Sequence, residues 1–403
     1  MKKDSMDNYR FYLIFCCLSL LFCKLSGQDY TPGGIYYDST GYVEYRAGNL
    51  PIILSAPHGG NLEPISIPDR DCPDCVTIND AYTKSITEGL YGELYERTGC
   101  YPHVIINLLH RKKFDANRDI GDAADGNPVV EEAWYAYHDF IDAAKNQVTE
   151  DYGRGFFLDL HGHAHTIQRI ELGYLMSRDE LQEPDAVLNT DAYLSESSVH
   201  SLVNDNIQGI DHADLLRGPY SLGTLLDEKG FPSVPSLADP FPQDDEPFFQ
   251  GGYNTQRHGS RDDLGPIDAI QIEMNQDIRF NTNRRLELID SLAYTSLEYY
   301  DRHYKDQFLG NYCNLIASVK GISSNEMSWS LYPNPALEYV TVRGLLSPID
   351  LQIFNGLGQL IYSNSIQIDE PIYLNKLQAG IYFVHVIQEG VSLGKNRLVL
   401  IKD

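Results

Sequence analysis

The sequence contains few positive charges: 31 Lys and Arg stand against 57 Asp and Glu, and the formal net charge is −26. A chain with this excess of negative charge has no general attraction to nucleic acid or anionic lipid, so we expect neither as a partner. Apolar residues are not scarce, since 42% of the 403 residues are hydrophobic and 11% are aromatic. This content supports a large core and excludes a mainly disordered chain.

The apolar run near the N-terminus is too short to cross a bilayer comfortably, which takes about 20 residues. It extends from Phe11 to Cys23, follows three basic residues and is followed by the small residues Ser26 and Gly27. A short apolar stretch after positive charges is typical of an export signal. We predict that residues 1–27 are a signal peptide and that no stable membrane span remains after its removal. An N-terminal membrane anchor is the alternative.

Cysteine is scarce in the predicted mature chain, which keeps Cys72, Cys75, Cys100 and Cys313. One C-x-x-C pair without a second is weak evidence for zinc. An exported protein meets oxidising conditions, which favour disulfides. We therefore expect either a local disulfide between Cys72 and Cys75 or pairing with Cys100.

The C-terminal segment, residues 329–403, has a different character from the rest and follows a predicted linker at 316–328. Turn signals such as Asn355-Gly356 separate short strand-like runs, which is typical of a small β-sandwich. The predicted strands are Tyr339–Arg343, Leu351–Phe354, Leu360–Tyr362, Ile381–Ile387 and Arg397–Ile401.

This segment resembles the type A C-terminal sorting domain of the type IX secretion system of Bacteroidota. The matching pieces are Tyr332–Pro335, Ile353–Gln359, Leu377–Tyr382 and Lys395–Lys402. The resemblance implies contact with the type IX secretion machinery and export through the periplasm and outer membrane, to a secreted or cell-surface location. It also implies that the module is usually removed. An ordinary carbohydrate-binding or adhesion sandwich is the alternative.

Residues 28–315 alternate between strand-like and helix-like stretches, which predicts an α/β domain with a mostly parallel or mixed sheet flanked by helices. The predicted strands are Tyr42–Arg46, Pro51–Ser55, His103–Leu108, Phe156–Leu160, Glu171–Met176 and Ala269–Glu273, and the predicted helices Asp80–Arg97, Val129–Val148 and Arg284–Tyr300. In such sheets, polar residues at the carboxyl ends of strands form the site.

Histidines follow two of the predicted strands, singly after one and as a run of three after the other. His58 comes after an apolar run and precedes two glycines, and neutral imidazole is a good zinc ligand. His161, His163 and His165 follow a buried strand, where Asp159 could orient His161. A structural histidine and a surface run of histidines are the respective alternatives.

Two further clusters carry charge. The stretch from Arg111 to Asp119 is the densest basic one in this acidic chain, and Arg binds a carboxylate in bidentate fashion. A solvated face is the alternative. Glu273 ends an apolar strand, where a carboxylate is costly to bury without a purpose. Beside a metal it would serve as a general base, and pairing with Arg279 is the alternative.

Five motifs, taken in their order along the chain, resemble those of the N-formylglutamate amidohydrolase-like branch of the zinc carboxypeptidase fold. They are Ser55–Gly59, Asp115–Arg118, Asp159–His161, Gly251–Tyr253 with Arg257–Gly259, and Gln271–Glu273. The resemblance implies a catalytic domain over residues 28–315, with zinc as the cofactor. The implied roles are zinc ligands for His58 and His161, carboxylate binding for Asn117 and Arg118, general base for Glu273, a substrate-covering loop for Tyr253 and Arg257, and polarisation of the scissile carbonyl for Arg111.

The sequence departs from the family at the third zinc ligand. The carboxypeptidase pattern places Glu three residues after the first His, and Asn61 stands there instead. Asp80 is the predicted replacement, because an acidic residue is favoured at the start of the next helix. Glu63 and His163 are the other candidates.

These features together predict an exported zinc-dependent amide hydrolase. Arg118 and Asn117 imply that its substrate, an N-acyl amino acid or a peptide-like molecule, bears a carboxylate. A metallocarboxypeptidase and a cell-wall or γ-glutamyl amidase are alternatives with the same chemistry. A non-catalytic surface binding protein that keeps the fold is an alternative of a different class.

Overall fold

The computed structural model describes residues 30–73, 75–304, 330–343, 349–355, 359–367, 370–388 and 391–402. The predicted signal peptide, the predicted linker and Cys313 lie outside the described residues. No helix within the described ranges is long and apolar enough to cross a bilayer.

The first part of the chain forms one eight-stranded mixed sheet. Its strands are β1 Ile35–Tyr37, β2 Val43–Arg46, β3 Ile52–Ala56, β4 His103–Asn107, β5 Gly155–Gly162, β6 Ile170–Gly173, β7 Ser233–Val234 and β8 Ile267–Met274. They lie in the order β1-β2-β4-β3-β5-β8-β6-β7. The four central strands β4, β3, β5 and β8 run parallel, whereas β1, β2 and β6 pair antiparallel with their inner neighbours.

Twelve α-helices and one short 3-10 helix are described around this sheet. They are α1 Thr83–Thr98, α2 Ile120–Ala124, α3 Pro128–Tyr152, α4 Arg178–Leu181, α5 Asp185–Leu188, α6 Asp191–Glu196, α7 His200–Asp205, α8 His212–Arg217, α9 Leu222–Asp227, α10 Tyr253–His258, the 3-10 helix Arg261–Asp263, α11 Gln276–Phe280 and α12 Thr282–His303. The predicted α/β class is confirmed, and the predicted helices and strands are found with ends shifted by a few residues.

Helices cover both faces of the sheet. Leu54 and Leu158 share one buried apolar cluster with residues of α1 and α12. Tyr137 of α3 lies beside Ser55 and Asp159, which alternate with those leucines along β3 and β5. Successive strand side chains point to opposite faces, so α3 packs on the other side. Helices on both faces bury parallel strands from both sides, and β5 and β8 are buried along nearly their whole length.

The cap residues of α3 explain where this long helix begins and ends. Asn127 accepts hydrogen bonds from the backbone N–H groups of Val129 and Val130 through its side chain, and Pro128 occupies the first turn. Gly153 ends the helix with φ of 80°, a conformation that costs glycine little.

The C-terminal part forms two antiparallel sheets. Its strands are β9 Ser330–Tyr332, β10 Tyr339–Arg343, β11 Ile349–Phe354, β12 Leu360–Ile366, β13 Ile372–Tyr373, β14 Gly380–Gln388 and β15 Val391–Leu400. The sheets have the orders β13-β10-β9 and β12-β11-β14-β15. Residues of both, such as Val340 and Val384, share one buried cluster, so the predicted small β-sandwich is confirmed. The sequence pattern missed the short strands β9 and β13.

The predicted local disulfide between Cys72 and Cys75 is present. It lies in the loop between β3 and α1. The guanidinium of Arg70 donates a hydrogen bond of 2.6 Å to the carbonyl oxygen of Val76 across the same loop. Cys100, at the end of α1, is disulfide-bonded as well.

A carboxyl group in the core makes folding stability depend on pH. Asp268 of β8 accepts hydrogen bonds from Ser260, from Tyr304 and from the backbone N–H of Leu202. Burial nevertheless raises the pKa of Asp268 to about 6. Between pH ~4 and ~6 Asp268 therefore holds a proton in the folded chain that it releases in the unfolded chain, so the contribution of Asp268 to the free energy of unfolding falls as pH rises through this window.

We expect Asp268→Asn to flatten this pH dependence, because the amide does not titrate. Urea unfolding of the parent and the variant between pH 4 and 7 measures the difference in slope. Asp179→Asn, at a largely exposed position, is the control and should follow the parent. Parallel curves for Asp268→Asn and the parent would contradict the prediction.

Candidate metal centre and its cavity

A cavity of about 500 Å³ opens where the polar loops after the central strands meet. The carboxyl ends of parallel strands lie at the same edge of a sheet, which brings these loops together. The structure brings seven of the predicted site residues to the cavity wall: His58, Asp80, Arg111, Asn117, Arg118, His161 and Glu273.

Three buried side chains converge in this cavity. His58 follows β3, His161 lies on β5, and Asp80 lies between β3 and α1. The Nδ1 atoms of His58 and His161 lie 3.0 and 3.2 Å from the same oxygen of Asp80, Oδ2. The potential ligand atoms all lie within 4.8 Å of one another. Two imidazole nitrogens and one carboxylate oxygen in this arrangement could hold a metal ion.

The position of Asp80 depends on a turn that the helix prediction missed. Helix α1 begins at Thr83, so Asp80 precedes the helix instead of starting it. Tyr82 has φ of 71°, which is uncommon for a bulky residue and turns the chain before the helix. The backbone N–H of Asp80 donates to the carbonyl oxygen of His58 at 3.1 Å, and the N–H of Gly162 donates to Asp80 Oδ2 at 3.3 Å. These bonds hold the carboxylate against both imidazoles.

The second nitrogen of each imidazole faces another buried carboxylate. His58 Nε2 lies 2.6 Å from Asp115 Oδ1, and His161 Nε2 lies 2.8 Å from Asp159 Oδ2. Asp159 also accepts a hydrogen bond from the hydroxyl of Ser55. A carboxylate that holds Nε2–H leaves the Nδ1 lone pair directed at the centre, the usual arrangement around metal-binding histidines. This donor set fits a metal ion.

The charges of these groups are strongly coupled. Burial acts to raise the pKa of Asp80, but the charge on His58 and hydrogen bonds from His161 and His58 outweigh burial and lower that pKa. Burial acts to lower the pKa of His161, but Asp159 and Asp80 outweigh it and raise that pKa. A bound cation would replace the protons that this cluster otherwise attracts.

Glu273 lies beside His161 in the register between β5 and β8. Its Oε1 accepts a hydrogen bond of 3.0 Å from Gln271, while its Oε2 is buried without a partner among the described residues. Burial raises the pKa of Glu273 to about 8, and the charges of Asp80 and Glu171 contribute. The alternative partner Arg279 instead donates to the carbonyl oxygens of Met274, Ala81 and His163. A buried carboxyl oxygen without a partner indicates a site for a ligand or water.

Arg111 is tied to the carboxylates around the centre. Its Nε donates to Asp115 Oδ2 at 3.0 Å, and its Nη1 lies 3.3 Å from Asp80 Oδ1. Asp115 was part of a recognised motif but had no predicted role; the structure shows that it joins His58 and Arg111. The sequence signal for a role of Asp115 in the site is its position two residues before Asn117, a predicted substrate-binding residue.

Arg118 differs from Arg111 because no carboxylate in the described part of the chain lies within ion-pair distance of it. One of its guanidinium nitrogens donates to the backbone oxygen of Asn117 at 2.9 Å. The Asn117 side chain accepts from the N–H of Asn254 at 2.8 Å, and its Nδ2 lies 3.4 Å from His161 Nε2. Arg118 therefore presents positive charge to the cavity beside the candidate metal centre.

Tyr253 and Arg257 lie on α10 and do not line the cavity. The Tyr253 ring packs beside Trp134 and His138, and the Arg257 guanidinium lies 5.2 Å from the centre of the Trp134 ring. The resemblance implies a substrate-covering loop for both residues, whereas the short helix turns their side chains toward α3. Their contact with a substrate stays a prediction.

The other candidates for the third ligand lie elsewhere. Glu63 is half-exposed and pairs with Lys112 at 2.6 Å. His163 lines the cavity, but its Nε2 bonds to the carbonyl oxygen of Arg169 at 2.8 Å. The His163 imidazole belongs to a separate group of potential metal ligands, together with His165 and Glu171. Asp80 is thus the candidate that contacts both histidines of the centre.

No curated protein matches this chain. Among solved structures, N-formylglutamate amidohydrolase from Ralstonia eutropha JMP134 is similar, with 13% identity and a TM-score of 0.39 over 66% of this chain and 96% of that one. A gene product from Agrobacterium tumefaciens has 11% identity and a TM-score of 0.37 over 64% of this chain and 94% of that one.

The C-terminal sandwich has a family match. Residues 330–400 match the family described as "Secretion system C-terminal sorting domain", which confirms the resemblance seen in the sequence. The match extends over β9 to β15. The protein therefore carries a sorting domain of the type IX secretion system, which exports it to the cell surface or the extracellular space.

Proposed function

We propose that the protein is an exported zinc-dependent hydrolase of amide bonds, which acts on a carboxylate-bearing N-acyl amino acid or peptide-like substrate. The observation that carries the proposal is the convergence of His58 Nδ1, His161 Nδ1 and Asp80 Oδ2 beside Glu273, whose Oε2 has no partner in the described part of the chain. Such a centre has the two parts that metal-assisted hydrolysis requires, a metal site and a group that moves a proton.

The donor set favours zinc over calcium or magnesium. Calcium and magnesium prefer oxygen ligands, whereas two imidazoles with one carboxylate are a common set for catalytic zinc. Three protein ligands leave a fourth position free. Bound zinc would supply Lewis acidity, which makes water a nucleophile near neutral pH and polarises a carbonyl group.

Glu273 supplies the proton transfer in this proposal. Its Oε2 takes a proton from the attacking water and returns it to the leaving amine nitrogen. A group in this role works best when its pKa lies near the working pH. Burial raises the pKa of Glu273 from its ordinary acidic value toward that range. Gln271 holds the other carboxyl oxygen, which keeps Oε2 directed at the reacting atoms.

Arg118 selects the substrate. Its guanidinium faces the cavity without a carboxylate partner among the described residues, and a planar guanidinium binds a carboxylate in bidentate fashion. Asn117, held by the backbone of α10, offers an amide beside it. Arg111 is already engaged by Asp80 and Asp115, so it stabilises negative charge near the centre instead of binding a free carboxylate.

The metal content of the purified protein tests the centre. We expect about one zinc per chain in the parent and its loss in His58→Ala, Asp80→Ala and His161→Ala, because each removes a ligand. Glu63→Gln is the matched control, since that carboxylate lies on the surface, and it should keep the metal. Elemental mass spectrometry measures the ratio. A parent that binds no zinc after reconstitution would overturn the proposal.

Glu273→Gln separates proton transfer from metal binding. The amide keeps the size of the side chain but cannot take up a proton. We expect zinc to stay bound while kcat falls by about 10²- to 10⁴-fold on N-acyl amino acids. Release of free amine measures kcat, and circular dichroism confirms folding. A rate within threefold of the parent would exclude Glu273 as the base.

Arg118→Ala tests recognition of the carboxylate. We expect kcat/KM to fall by about 10- to 100-fold for an N-acyl amino acid, since a charged hydrogen bond is lost. The carboxamide analogue of the same substrate should lose little. Arg257→Ala, which removes the same charge outside the cavity, is the control. Equal losses for acid and amide would contradict the assigned role.

A further inference from the structure

The mouth of the cavity carries exposed apolar side chains. Val76, Ile78, Phe249 and Phe280 all line it, and they are 45, 78, 42 and 57% exposed. We call these four residues the apolar rim. Single exposed apolar residues are ordinary, but several around one cavity indicate a binding surface.

The loop that carries two rim residues is held in place. Val76 and Ile78 follow the Cys72–Cys75 disulfide directly. Arg70, which is buried, donates to the carbonyl oxygen of Val76 at 2.6 Å and to that of Asp122 at 2.9 Å. This part of the rim therefore has a fixed position before any ligand arrives, which lowers the entropy cost of binding.

The two phenylalanines come from different parts of the chain and are also held. The Phe280 ring makes an edge contact with Tyr82, with ring centres 5.3 Å apart. The Phe249 ring stacks on His165 at 4.7 Å, and its backbone N–H donates to the buried carboxylate of Glu171 at 2.8 Å. Three separate segments thus bring apolar side chains to one opening.

Ile78 and Phe280 of the rim lie on segments that also carry the metal side of the cavity. Ile78 lies two residues before Asp80, and Arg279, next to Phe280, donates to the carbonyl oxygens of Ala81 and His163. Arg118 instead belongs to the segment of Asn117 and is held by its backbone oxygen. A substrate with its carboxylate on Arg118 and its scissile carbonyl at the centre would then direct its acyl group toward Ile78 and Phe280.

We propose that the substrate is an N-acyl amino acid whose acyl group is an apolar chain of several carbons, which packs against the apolar rim. This inference rests on the proposed function, because it assumes an amide whose carboxylate contacts Arg118. The charged interior and the apolar mouth together match an amphipathic molecule with one polar and one apolar end. Each methylene that the rim removes from water raises kcat/KM by up to about fourfold.

A chain-length series tests the proposal. N-acetyl-, N-butanoyl-, N-hexanoyl- and N-octanoyl-L-alanine are compared on the zinc-loaded full chain. We expect kcat/KM to rise at least tenfold from acetyl to octanoyl. In Ile78→Asn we expect the octanoyl-to-acetyl ratio to fall several-fold. Ile65→Asn is the matched control, because Ile65 is fully exposed and does not line the cavity; it should keep the parental ratio.

Binding to Glu273→Gln, measured by titration calorimetry with the same four compounds, separates this inference from the proposed function. Hydrolysis of all four at similar kcat/KM would overturn the apolar substrate and leave the hydrolase in place. Affinity that rises with chain length and is weakened by adding Ile78→Asn would support the rim even if no compound were hydrolysed. If no compound is hydrolysed and affinity does not rise with chain length, both the proposed function and this inference are overturned.

Discussion

A buried carboxylate on the Nε2 side of each central histidine is the constraint on which the rest of the cavity depends. Asp115 and Asp159 face His58 and His161 at 2.6 and 2.8 Å, and this fixes where both Nδ1 atoms point. Burying so much charge is stabilising only when the charges compensate one another. Arg111 and Asp80 complete that compensation. The ionic network thereby decides the shape of the centre and leaves Glu273 as the carboxyl whose second oxygen has no partner among the described residues.

The fold was predictable because its signals are local. Apolar runs such as Phe156–Leu160 end in polar residues at the carboxyl edge, and turn signals divide the C-terminal segment into strands. The same reasoning predicted that His58, His161 and Glu273 lie together at the carboxyl edge of the sheet. It could not locate Asp80 from helix preference, because the left-handed turn at Tyr82 decides where that carboxylate lies. Nor could it foresee α10, since its six residues carry too weak a pattern to show which side chains face Trp134.

The disulfide and the sorting domain fit one setting. A protein that the type IX system exports meets oxidising surroundings, where the Cys72–Cys75 bond persists. That bond lies in the loop that forms one wall of the cavity, and Arg70 ties the same loop to α2. The oxidising compartment to which the sorting domain directs the protein therefore keeps the disulfide intact, and the disulfide helps to hold this wall in place.

The residues of the centre are far apart along the chain, and this determines when the centre can form. His58 meets Asp115 across 57 positions and His161 meets Asp80 across 81, while Glu273 arrives only with the last central strand. Contacts between distant positions are slow to form, because closing the long intervening loop costs entropy before the contact stabilises the fold. A growing or unfolded chain thus lacks the centre formed by His58, Asp80 and His161. Binding of a metal ion at this centre would therefore require that the α/β domain has folded.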